Sequence, residues 1–121
     1  MSELSGDALV RLYYHTVDTA DAAAVVSLFS EEAAYRRPGY PPMVGRQALL
    51  QFYGSDRVIE AGQHRIAQVV SGSDPTQVAV AGRFTGRLKD GSQVDLGFAD
   101  FFTVRDSLIV ARATFFDSPA V

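Results

Sequence analysis

The residue with the strongest claim to chemistry is Asp100, a carboxylate placed among apolar neighbours. It shares strand parity with Phe98 and Phe102, so its side chain is expected to point into the same interior. A carboxyl group shielded from water favours its neutral form, which would raise its pKa and let it donate a proton. Two structural alternatives stay open. A bond to a buried hydroxyl or to Arg112 would make Asp100 a structural residue, and a bulge at Gly97 would turn it outward.

Tyr13 and His64 are the other two candidates for catalysis. Tyr13 lies in the middle of the apolar face of the first predicted helix, where a buried hydroxyl needs a partner. Tyr14 is predicted at the rim of that face or at an interface. His64 shares parity with Ile66 on a predicted strand and is either a satisfied core histidine or an acid/base group.

The candidate substrate-binding residues are one arginine and a set of aromatic side chains. Arg36 and Arg37 point to opposite faces of a short strand, so one of them points inward to neutralise Asp100 or to bind an anionic group. Arg37 is the candidate, and an ordinary surface pair is the alternative. The aromatic candidates are Tyr35, Phe52, Phe84, Phe98, Phe102 and Phe116.

Helical periodicity dominates the first half of the chain. The apolar spacing predicts a helix from residue 5 to about 20, and Asp21 is a suitable N-cap for a second helix that ends near Ser30. A short strand over 33–37 stops at a proline-rich segment. A third helix is predicted over 45–53, with Gly54 placed to end it.

From His64 onward the period changes to two, which is typical of half-buried antiparallel strands. One face of the first strand is predicted to carry His64, Ile66, Gln68 and Val70. The Asp90-Gly91 pair predicts a hairpin turn before the strand that carries Asp100. Three helices followed by a meander predict a single α+β domain over 1–121, with a cone-shaped, curved, mostly antiparallel sheet covered by the helices.

Composition excludes several classes of function. The 121 residues include no cysteine and two histidines, so disulfides, thiolate metal sites and multi-histidine metal centres are excluded, and no cofactor is expected. A net charge of −3 argues against a nucleic-acid groove. No apolar run approaches the ~20 residues of a membrane span, and residues 1–7 lack a signal pattern, so a cytoplasmic protein is expected.

An ordered set of segments resembles the nuclear transport factor 2-like superfamily, in its SnoaL-like and ketosteroid-isomerase-like branch. The segments are LVRLYYHTVDTADAAAVVSLF at 9–29, GRQALLQFY at 45–53 and ADFFTVRDSLIVARATFFD at 99–117, with Tyr35 and Pro38 between the first two. The resemblance implies a cystatin-like roll with a deep apolar pocket, often as a homodimer. It also implies isomerisation, polyketide cyclisation or epoxide opening without a metal or organic cofactor.

By order and spacing, Tyr13 and Asp100 match the two residues that bind the oxyanion in ketosteroid isomerases. Arg37 stands where that family has its carboxylate base, and arginine does not abstract a proton at neutral pH. In SnoaL-like cyclases the late-strand aspartate is itself the acid/base, which would place the chemistry on Asp100 with His64 or Tyr13 assisting. Thr114 stands where limonene-epoxide-hydrolase-like relatives have their second aspartate, which disfavours epoxide hydrolysis.

The sequence therefore predicts a cofactor-free isomerase or cyclase that acts on a small hydrophobic carbonyl compound. A non-catalytic ligand-binding module and an interaction domain of the same fold are the alternatives. A cavity of a few hundred Å³, on the order of an ordinary ligand site, would favour the enzyme or the ligand-binding module over the interaction domain. Both faces of the last strand are largely apolar, so a homodimer through the outer face of the sheet is also expected, with neither nucleic acid nor membrane as a partner.

Overall fold

The computed structural model describes residues 5–19 and 21–118. The predicted helix end at Ala20 and the signal-free start at residues 1–4 lie outside the described residues. The helices are α1 (Gly6–Asp18), α2 (Ala22–Val26) and α3 (Arg46–Gln51), the last continued by a π-helical turn, Phe52–Asp56. The strands are β1 (Phe29–Arg36), β2 (Met43–Val44), β3 (Ile59–Ser71), β4 (Gln77–Leu88), β5 (Gln93–Arg105) and β6 (Leu108–Phe116).

Side-chain caps start the first two helices. The Ser5 hydroxyl accepts a hydrogen bond from the Ala8 amide at 3.1 Å, and the Asp21 carboxylate accepts one from the Ala24 amide at 3.1 Å. Helix α2 ends four residues before the predicted Ser30, because Phe29 already pairs with Ile109 in the sheet. The prediction that Gly54 ends the third helix is wrong, because the π-helical turn carries the chain to Asp56.

The six strands form one curved sheet in the order β2-β1-β6-β5-β4-β3. Strands β1 and β6 are parallel, and every other neighbouring pair is antiparallel. The helices pack on the inner face, where α1 contacts β3 and β4 and α3 contacts β1. The predicted α+β architecture with a curved, mostly antiparallel sheet is thereby confirmed.

Two β-bulges reverse the side-chain faces that simple alternation predicts. At Ala67 an extra residue in β3 turns Val69 toward the core and leaves Val70 exposed, so the predicted common face of His64 and Val70 is wrong. At Val110 an extra residue in β6 lets both Ile109 and Arg112 point inward. The second bulge decides which side chains of β6 reach the interior.

Within the described residues, no helix combines the length and the apolar character needed to cross a membrane. The same residues contain no group of three or more His, Cys, Asp or Glu side chains placed to hold a metal ion.

Candidate functional site

A buried ion pair between Asp100 and Arg112 organises the centre of the fold. Asp100 is fully buried, and its Oδ2 lies 2.8 Å from the Arg112 guanidinium. The hydroxyls of Tyr14 and Thr114 also donate to this carboxylate. Asp100 therefore has the structural role considered as an alternative above, because Arg112 and two buried hydroxyls all bind its carboxylate.

The tyrosine that bonds to Asp100 is Tyr14 and not Tyr13. Tyr14 is 2% exposed, so its predicted position at the rim or at an interface is wrong. The Tyr13 hydroxyl bonds to Tyr53 and Arg112 instead. Both rings are buried because α1 lies deep against the curved sheet and presents a face wide enough for two consecutive tyrosines.

Arg112 connects the ion pair to a second polar group. Its Nη1 donates to the Tyr13 hydroxyl at 2.6 Å and to the Tyr53 hydroxyl at 3.2 Å. The guanidinium carbon lies 4.6 Å from the Tyr13 ring centre and 4.5 Å from the Tyr35 ring centre, which places the cation between two aromatic faces. Burial lowers the pKa of Arg112, but Asp100 together with the surrounding tyrosines Tyr13, Tyr35 and Tyr53 more than offsets this and holds the pKa above its ordinary value.

Tyr13 and Tyr53 form a hydroxyl pair with one proton to spare. Their oxygens are 2.6 Å apart, so one O–H is used between them. Arg112 donates to both oxygens and takes no proton, which leaves one O–H available to a ligand. Burial, partly offset by Arg112, raises the pKa of Tyr53 to about 12, and burial also raises the pKa of Tyr13. Both hydroxyls therefore stay protonated at neutral pH.

The raised pKa of Tyr53 makes the fold sensitive to alkali. Below pH 10 the Tyr53 hydroxyl is protonated in both the folded and the unfolded protein. Between pH 10 and about 12 it stays protonated only in the folded protein. We expect the free energy of unfolding to fall across this window by about 1.4 kcal/mol per pH unit from Tyr53 alone. Urea unfolding at a series of pH values measures the decline.

The matched variants for this test are Tyr53→Phe and Tyr40→Phe. Tyr53→Phe is expected to make the alkaline decline shallower by the contribution of that hydroxyl. Tyr40→Phe removes a hydroxyl that lies outside this network and accepts a hydrogen bond from the Val58 amide. An unchanged decline in Tyr53→Phe would contradict the role of burial at that hydroxyl.

His64 forms a dyad with Asp18, the last residue of α1. Its ring Nδ1 lies 2.7 Å from Asp18 Oδ1, and its backbone amide donates to Asp18 Oδ2 at 2.9 Å. The ring also packs against Tyr14 and Phe84, with centres 5.0 and 4.8 Å apart. Because one carboxylate holds both the backbone and the ring, the imidazole has a fixed orientation, and Nε2 is the nitrogen left for a ligand.

These groups surround one small cavity with a volume of about 20 Å³, enough for about one water molecule. Side chains therefore fill most of the interior, where the family resemblance implies a deep apolar pocket. Its lining includes the predicted Tyr13, His64, Arg37, Phe84, Phe98 and Phe116, together with Val17, Tyr53, Arg57, Ile59, Arg112 and Thr114. Asp100 is outside this lining and reaches the cavity only through Arg112 and Thr114.

Arg37 is the inward member of the arginine pair, and Arg36 is exposed. The Arg37 guanidinium carbon lies 5.1 Å from the Tyr40 ring centre and 5.2 Å from that of Phe52, and its Nη1 is 3.5 Å from the Tyr35 hydroxyl. Tyr35 and Phe52 thus do not line the cavity but contact Arg37, which does. Phe102 is likewise outside the lining and packs against Tyr13 and Arg112.

Sequence reasoning missed Asp18, Tyr53 and Arg57 as members of the site. Asp18 lies near the end of the first predicted helix, and its partner His64 lies 46 residues away. Tyr53 is the last residue of the third predicted helix, where its spacing indicates no polar role. Arg57 follows the π-helical turn that sequence periodicity did not show, and its amide donates to the Phe52 carbonyl at 3.0 Å. No signal in the sequence marks any of the three.

Comparison with known proteins gives a family and a set of similar folds. The model of the SnoaL-like domain matches residues 10–112, and no curated protein sequence matches the chain. SalBIII, an epoxide hydrolase/cyclase-like enzyme of pyran ring formation in salinomycin, is 24% identical over 89% of this chain and 87% of that chain, with a TM-score of 0.79. A proposed polyketide cyclase from Xanthomonas campestris is 24% identical over 90% and 87%, with a TM-score of 0.79.

A third similar structure is a proposed isomerase from Bacillus subtilis. It is 16% identical over 90% of this chain and 84% of that chain, with a TM-score of 0.80. At these identities the likeness to solved structures establishes the shared fold.

Proposed function

The chain belongs to the SnoaL-like domain family, and on that premise we propose that it is an enzyme that moves a proton on a small carbonyl compound, as an isomerase or cyclase without a cofactor. One observation carries the proposal. An oriented imidazole and a pair of protonated tyrosine hydroxyls held by an arginine line the same cavity.

His64 is the base in this proposal. Asp18 Oδ1 accepts a hydrogen bond from the protonated Nδ1, which leaves the Nε2 lone pair to remove a proton from the carbon next to a carbonyl group. Asp18 then stabilises the imidazolium that forms. This assignment gives the protein a base despite the presence of Arg37 at the position of the carboxylate base in ketosteroid isomerases.

The Tyr13–Tyr53 pair is the oxyanion site. Its spare O–H donates to the carbonyl oxygen as negative charge develops there, and Arg112 supports both hydroxyls with a full positive charge. Asp100 acts by holding Arg112 in place rather than by direct proton transfer. The cavity of about 20 Å³ holds about one water molecule, so every carbonyl substrate requires it to widen, and small ketones require far less widening than a steroid.

Exchange of α-protons in D₂O, followed by ¹H NMR, tests the proposal directly. The panel consists of butanone, pyruvate and a steroid enone, and exchange above the buffer rate is expected for the small ketones. Asp18→Asn should slow this exchange by about 10–100-fold, because the imidazole loses the partner that orients it.

Asp7→Asn is the matched control on the same helix. Asp7 forms an exposed ion pair with Arg11, 2.7 Å apart and far from the cavity, so exchange should be unchanged. Exchange at the buffer rate for every ketone would overturn the proposed function, and equal rates in the two aspartate variants would remove Asp18 from it.

We also propose a homodimer through the outer face of the sheet. Phe101 and Phe115 are 55% and 56% exposed there, with ring centres 5.9 Å apart, and their paired residues on the neighbouring strands are the alanines Ala79, Ala99 and Ala113. A second copy of the chain is the occupant that buries such a face on both partners at once. Light scattering should give twice the chain mass of 13.1 kDa.

Phe115→Glu is expected to shift that mass to the monomer value by placing a charge in the contact. Val70→Glu is the control, because Val70 is also 56% exposed but lies on the edge strand β3. A native protein that is monomeric at micromolar concentration would contradict the dimer.

A further inference from the structure

The cavity has a strongly cationic lining. Three of its lining residues are arginines, and among the described lining residues there is no aspartate or glutamate. The charge of Arg112 is balanced by Asp100, which lies outside the cavity lining. Arg57 differs from it, because within residues 5–19 and 21–118 no carboxylate oxygen lies within the 4.0 Å ion-pair limit of its guanidinium.

Arg57 is 9% exposed, which makes a charge without a counter-ion costly. Two carboxylates, Asp56 and Asp90, line the same surface groove as Arg57, and each has hydrogen-bond partners of its own. Asp56 accepts from the Gln51 side-chain amide at 3.1 Å, and Asp90 accepts from the Ser92 amide at 2.9 Å in its own turn. A ligand anion in the cavity would supply the missing countercharge.

The position of Arg57 links such an anion to the hydroxyl pair. Its guanidinium carbon lies 5.8 Å from the centre of the Tyr53 ring, and the hydroxyl of that ring is part of the oxyanion site. Two such neighbouring anchors suit a short molecule that carries a carboxylate for Arg57 and a carbonyl oxygen for the Tyr53 hydroxyl. The guanidinium offers two parallel N–H groups, which suit a carboxylate.

We propose that Arg57 recognises the carboxylate of the substrate and that the substrate class is short oxo acids. This inference rests on the proposed function, since it assigns the substrate of the same cavity. Arg57 is a specificity-determining residue here, whereas His64 and the tyrosine pair carry the proton transfer.

The test compares the binding of pyruvate with that of pyruvamide, which has the same shape without the charge. Amide chemical shifts of the native protein are followed by ¹H–¹⁵N NMR during each titration. Pyruvate is expected to bind about tenfold more tightly than pyruvamide, or better, because a charge-assisted bidentate contact is lost with the amide.

Arg57→Gln should abolish this preference, and Arg57→Lys should restore part of it by returning the charge. Arg65→Gln is the matched control, because it changes the net charge equally on the exposed side of β3. Equal affinities for pyruvate and pyruvamide, no binding of either, or an equal loss in Arg57→Gln and Arg65→Gln would each overturn the proposal.

The same titrations separate this proposal from the proposed function. In His64→Gln the preference for pyruvate should remain while α-proton exchange is lost. A preference that depends on Arg57 in a protein that exchanges no α-protons would support the carboxylate site and overturn the enzyme. Exchange of α-protons without any preference for pyruvate over pyruvamide would support the enzyme and overturn the carboxylate site.

Discussion

Replacing Arg112 with methionine is expected to lower the free energy of unfolding by about 3–5 kcal/mol. The substitution leaves the fully buried Asp100 without its cation, and it removes the donor shared by the Tyr13 and Tyr53 hydroxyls. A domain of this size has about 5–15 kcal/mol of stability in total, so the variant should unfold at a much lower urea concentration. Equilibrium urea denaturation measures the difference.

Arg83→Met is the matched control for that experiment. Arg83 pairs with Asp95 at 2.9 Å, but the two side chains are 57% and 64% exposed, so the loss should be at most about 1 kcal/mol. In an Asp100→Leu, Arg112→Met double variant much of the stability should return, since no buried charge is left uncompensated. Similar losses in Arg112→Met and Arg83→Met would show that burial adds nothing to the central ion pair.

Replacing His64 with glutamine is expected to reduce α-proton exchange by about 10²–10⁴-fold, the contribution of a positioned general base. Glutamine keeps hydrogen-bonding capacity at this position but cannot take a proton at neutral pH. His15→Gln is the control, because His15 is exposed on the opposite side of α1.

Combining His64→Gln with Asp18→Asn tests whether the two residues act as a unit. If Asp18 works only by orienting the imidazole, its substitution should have no further effect once the imidazole is gone. Additive losses would mean that Asp18 affects the cavity by another route, and full activity in His64→Gln would remove the histidine from the mechanism.

Sequence periodicity was sufficient for the parts of the fold where alternation is regular. Strands β4 and β5 have the predicted faces, which is why Phe84, Phe98 and Asp100 point inward as expected. The same reasoning failed at Gln68 and Val70, because a bulge is a local backbone event that leaves no mark in the pattern of apolar residues.

The polar partners of the site were harder to predict than its buried residues. That Asp100 is buried followed from strand parity, but the choice between Tyr13 and Tyr14 depends on how deeply α1 settles against the sheet. The pairing of His64 with Asp18 depends on where that helix ends relative to β3. Both are properties of packing between distant segments, and one sequence carries no direct record of them.

The single extra residue at Val110 sets the phase of the last strand for both surfaces at once. Beyond it, Arg112 and Thr114 face the interior, while Ala113 and Phe115 face outward. If Val110 were paired regularly instead of being the extra residue, alternation from Ile109 would exchange the two sets, turning Phe115 inward and placing the cation on the outer surface. The side chains of the inner site and those of the outer apolar face therefore depend on the same strand register. A mutation that shifts this register changes both faces of β6 together.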